Sequence, residues 1–114
     1  MKLSGAICLV TLLVIPVLAA ADEMKMEMGK TPADQAFAMS MQTMMKNMKV
    51  KPTGNADTDF VLMMMPHHQG AIDMAKVKLQ YGKDTELRQL ATDIVEAQEK
   101  EITEMKAWLA KNGK

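Results

Sequence analysis

Apolar residues in this chain recur at helical spacing and nowhere at strand spacing, which confines the fold to helices packed on one another. Phe37, Met41, Met44 and Met48 follow at steps of four, three and four, with Met45 beside them. Further on, Leu87, Leu90, Ile94, Gln98, Glu101, Met105 and Trp108 keep the same period, widened by Ile102 and Leu109. Between them runs "FVLMMMPHHQGAIDMAKVKLQ", helical in pattern apart from its proline. The stops are as readable. Thr31, then Pro32 at the first helical position and Asp34 three residues after the cap, predict a helix start close to a capping box. That helix should end around Lys49, before the loop signals Pro52, Thr53, Gly54 and Asn55. Asp57 is expected to cap a second helix and Gly82 to close it at C′, and Asp84 to cap a third. The expected fold class is all-α: a small antiparallel helical bundle of about three helices joined by short loops.

The first 21 residues stand apart. Lys2, an apolar run from Ile7 to Val17, and Ala19-Ala20-Ala21 have the form of a cleaved signal peptide, and the run is too short to span a bilayer. An exported protein, periplasmic or secreted and without membrane insertion after cleavage, is expected to begin near Asp22. Residues 22–30 would then be a flexible methionine-rich arm and residues 31–114 the bundle domain. Cleavage also removes Cys8, the single cysteine. Disulfides, zinc-thiolate sites and Cys-x-x-Cys-His haem attachment are thereby excluded from the exported part. Its net charge is close to zero, which gives no electrostatic case for nucleic acid.

Methionine is the outlier: 14 in the chain, against five leucines beyond the signal. A flexible thioether defines packing poorly, so a core gains little from this exchange. On helix two, Phe60, Met63, Met64, His67, Ala71 and Met74 share one arc with His67 near its centre. His68 sits about 100° away, nearest Met64, Met65, Ile72 and Ala75. On a regular helix, adjacent histidines do not close easily on one ion. Either they serve two sites or Pro66, which removes a backbone donor and is expected to kink or break the helix, brings them together. The ordinary account of Pro66 is a bend that wraps the helix around its partners.

Thioether with imidazole suits monovalent copper, because soft donors select soft cations. Zinc prefers thiolate, imidazole and carboxylate. Calcium and magnesium need clustered oxygens. A di-iron site needs a glutamate three residues before a histidine, which neither His67 nor His68 has. Candidate ligands are therefore His67, His68, Met64, Met63 and Met74. Gly70, Ala71 and Ala75 leave room for the helix-one methionines Met41, Met44, Met45 and Met48, and for Met105 of helix three. Met24, Met26 and Met28 alternate on the arm and offer a weaker set of sulfurs. Gln98 and Glu101 either orient an imidazole through its other nitrogen or sit solvated at the edge of their stripe.

The stretches "DFVLMMMPHHQGAIDMA" and "LRQLATDIVEAQEKEITEMKAWL" resemble the CopM-like family, secreted bacterial domains with a helical, ferritin-like bundle and largely unknown function. The family pattern Met-x-x-His-His-x-x-Ala-x-x-Met-Ala is matched by Met64, His67, His68, Ala71, Met74 and Ala75. On helix three, Gln98, Glu101, Ile102, Met105, Trp108 and Leu109 match as well. The likeness covers Asp59 to Leu109; helix one shares only the methionine habit. The resemblance implies copper binding outside the cytoplasm through methionine and histidine.

The expected function is therefore an exported protein that sequesters or buffers Cu(I), with Ag(I) and Cu(II) left open, and that hands copper to an efflux or chaperone protein. Nothing here composes an activated nucleophile or an acid–base pair, so no catalysis is expected. A small b-type cytochrome with Met/His haem ligation is the first alternative. A metal-free interaction module or oxidant sink is the second. A homodimer would help three amphipathic helices bury their stripes.

Overall fold

The computed structural model describes residues 29–113. They form α1 (Pro32–Asn47), α2 (Ala56–Tyr81) and α3 (Thr85–Asn112), with no strand among the described residues. The all-α bundle follows from the helical period. The signal peptide and most of the arm, including Met24, Met26 and Met28, lie outside the described residues.

Helix starts are set by nearby polar side chains. Thr31 Oγ1 accepts the Asp34 N–H at 3.1 Å while Asp34 Oδ2 accepts the Thr31 N–H at 3.0 Å, a complete capping box. Asp84 caps α3 as expected, accepting the Leu87 N–H at 2.8 Å. The cap of α2 is Asn55 and not Asp57: Asn55 Oδ1 accepts the Thr58 N–H at 3.0 Å. The cause lies upstream. Thr53 donates its N–H (2.9 Å) and its hydroxyl (2.6 Å) to Asp59 Oδ1, and Gly54 turns through φ +84°. That clasp delivers the chain into the helix two residues early, and Asp57 falls in the first turn, where its charge complements the helix dipole.

Gly82 departs from expectation too. Its φ of −82° and ψ of 147° are extended, so no left-handed C′ residue ends α2. Arg88 closes the helix instead, donating from Nη1 to Leu79 O (2.6 Å) and Gly82 O (3.1 Å). Those carbonyls are among the groups a helix end leaves without partners. Of the expected kink or break at Pro66, the break does not occur: α2 runs through it.

α2 packs against α1 on one side and α3 on the other, and among the described residues α1 and α3 do not touch. At the first contact, a Cβ on Gly70 would overlap Met44 Sδ, Cγ and Cβ, so only glycine lets α1 come this close. The buried apolar residues are Ala38, Val61, Ile72, Ala75, Val77, Ala91 and Ile102. Among the described residues Ile72, 1% exposed, is the one large side chain fully enclosed. The expected α3 stripe is covered unevenly: Ile102 is buried, whereas Leu87 and Leu90 are each 52% exposed. No described helix is long and apolar enough to cross a membrane.

Candidate metal centre

Antiparallel pairing of α2 and α3 sets Met64 and His68, one turn apart, against Glu101 and Met105, also one turn apart. These four side chains line an open groove of about 690 Å³. Phe60, Val61 and Trp108 form its apolar walls, and Asp57 and Glu104 add carboxylates to the lining.

His68 is held at both ring nitrogens. Nδ1 lies 3.0 Å from Met64 O, and since a carbonyl oxygen only accepts, Nδ1 carries the hydrogen. Nε2 lies 2.5 Å from Glu101 Oε2, so the carboxylate fixes the other side of the ring. The His68 side chain is 12% exposed and that of Glu101 53%, so the pair sits at the solvent edge and is partly screened. Fixing Nδ1–H on a backbone carbonyl is the arrangement by which proteins orient an imidazole for a metal at Nε2.

The adjacent histidines face different surroundings. Their ring centroids are 6.3 Å apart with planes at 62°, and His67 is exposed while His68 meets Glu101 of α3. Expectation put His67 at the centre of the methionine arc; the structure seats α3 on the His68 side of α2, so His68 lines the groove. Met63 follows His67 outward and is 48% exposed. Met74 lines a separate, smaller groove nearer the end of α2, with Ala71, Ala75, Leu87, Leu90 and Ile94. It therefore does not join Met64.

The helix-one methionines do not converge on the groove either. Met44 packs on Gly70, Met41 and Met48 are half-buried, Met45 is largely exposed, and none lines the groove. Met105, a weaker candidate by sequence, stands in it. Gln98 does not reach the imidazole: its Oε1 is buried without a hydrogen-bond partner. Glu101 reaches it at Nε2, the nitrogen that points into the groove, and the other nitrogen is taken by Met64 O. Asp57 and Glu104 were not anticipated. Glu101, Glu104, Met105 and Trp108 nonetheless share one helical face, so the period carried the signal for Glu104. Among the described residues no three His, Cys, Asp or Glu side chains form a metal-holding group.

Comparison with known proteins adds the family. Residues 15–109 match DUF305, a domain of unknown function. The chain belongs to this family. One relative by sequence, the Uncharacterized protein L153 of Acanthamoeba polyphaga mimivirus, is 43% identical over 53 residues. The matched stretch is 46% of this chain and 35% of that protein, so the two share only part of their lengths.

Proposed function

We propose that this DUF305 protein is an exported copper-binding protein of the CopM-like kind, which sequesters or buffers Cu(I) and supports copper homeostasis. One observation carries the reading: two thioethers, Met64 and Met105, and an imidazole nitrogen of His68 line a single groove. Soft sulfur with imidazole selects a monovalent soft cation over zinc or calcium. Copper here is cargo. His68 Nε2, Met64 and Met105 would hold it, and the Glu101 carboxylate at Nε2 would supply a counter-charge. The open groove suits exchange with a delivery or efflux partner in the periplasm.

The test is a Cu(I) titration of the purified protein against a competing chelator, with thermal melts alongside. Binding only to the native state at a hundredfold excess over Kd adds about 2.7 kcal/mol of stability. His68→Ala should weaken binding by about tenfold or more, and His67→Ala by much less. Equal affinities in parent and His68→Ala would move copper away from the groove. An intense Soret band in the isolated protein would replace the copper reading with a haem one.

A further inference from the structure

The two grooves lie along one face of the α2/α3 seam and are largely apolar. Phe60 of α2 and Leu87 and Leu90 of α3 are each about half exposed there, next to a core in which, among the described residues, Ile72 is the one large side chain fully enclosed. A helical domain this small gains little stability from so thin a core, and exposed apolar surface of this extent marks an association site. From Leu87 to Trp108 the strip is about 30 Å long at 1.5 Å per residue and, two helices across, about 20 Å wide. That area is comparable to the roughly 800 Å² each partner gives to a standard interface.

Charge along the strip says what covers it. The groove at one end is lined by Asp57, Glu101 and Glu104, with no lysine or arginine. The groove at the other end is lined by apolar residues and Lys78, with no carboxylate. A two-fold axis through the middle of the strip exchanges these ends, so the acidic end of one copy meets the Lys78 end of the other, whereas a parallel arrangement sets acid on acid.

We propose that this face is the interface of an antiparallel, two-fold homodimer that completes the hydrophobic core beside the groove of Met64, His68 and Met105. The contact depends on apolar area and charge order, and it stands or falls independently of copper.

The experiment is sedimentation equilibrium of the metal-free protein, expressed as the whole chain and purified after export. The parent should dimerise reversibly. Leu90→Glu and Leu87→Glu, both at exposed positions, should weaken the dimer by about tenfold or more, with far-UV circular dichroism unchanged. Lys78→Glu and Glu104→Lys should each weaken it, and the double exchange should restore it. A parent that stays monomeric at every attainable concentration overturns the proposal and leaves the face to a different protein. So does a dimer indifferent to both leucine variants. A double exchange no tighter than the single ones overturns the antiparallel arrangement.

Discussion

On its α1 side, α2 is pared to glycine at position 70 so that Met44 can lie against the backbone; on its α3 side it keeps Met64 and His68 along a groove that the bundle leaves open. The same residue type is a packing element at one contact and an available sulfur at the other. What separates the two uses is closeness of approach, not methionine content. Where helices meet over glycine, the thioether is consumed by packing. Across the open groove, it is free to meet a ligand.

The hardest blow to this contrast is Gly70→Leu. Overpacking costs about 1–3 kcal/mol, and the better helix propensity of leucine returns somewhat under 1 kcal/mol. The clash reaches Met44 Cβ, which cannot swing away as the sulfur can. A net loss of about 1–2 kcal/mol in urea unfolding is expected. Cu(I) affinity should stay within about threefold, because the groove lies on the other side of α2. A parallel fall in affinity would mean that the two sides of α2 are coupled through the helix.

A smaller effect separates the methionines themselves. Met64→Leu and Met105→Leu keep volume and apolarity but remove sulfur, so stability should move by less than about 1.5 kcal/mol. Each should weaken Cu(I) binding by about tenfold, or roughly 1.4 kcal/mol. Met44→Leu should leave the affinity alone. Competition titrations of the three variants read this directly. Equal losses in all three would return the α1 methionines to the site and erase the distinction.

The helical period was enough to draw both sides of α2 but not to say which would be covered. His67 and His68 are 100° apart on any helix, and the choice between them depends on where α3 docks, a contact 33 residues away in sequence. Caps formed within three residues, Thr31 with Asp34 and Asp84 with Leu87, were legible because both partners lie in one short window. The start of α2 was misplaced because Thr53 is clasped by Asp59 six residues on. Its end was misread because Arg88, not a left-handed glycine, takes the final carbonyls. That Met44 packs on Gly70 and does not line the groove was not legible, since spacing along one helix carries no record of how near the next one comes.

The smallest expected effect tests the clasp that leads from α1 into α2. Hydrogen bonds from the Thr53 side chain and then its backbone hold the Asp59 carboxyl below its ordinary value of 3.8. The Thr31 backbone, followed by its hydroxyl, does the same for Asp34. The folded chain therefore holds these protons more weakly than the unfolded chain. The resulting stabilisation is fully present above the ordinary value and is lost as pH falls through the lowered one. Both carboxylates are exposed, so the effect is screened and modest. Acid should therefore loosen the α1 side at the Thr53–Asp59 clasp. In urea melts, the stability advantage of the parent over Asp59→Asn should be level above pH 3.8 and shrink below it. Hydrogen exchange should show the Thr53 amide and α1 opening before the α2/α3 seam. An advantage that persists unchanged well below that pH would mean that the clasp works through hydrogen-bond geometry alone, with no contribution from the charge on Asp59.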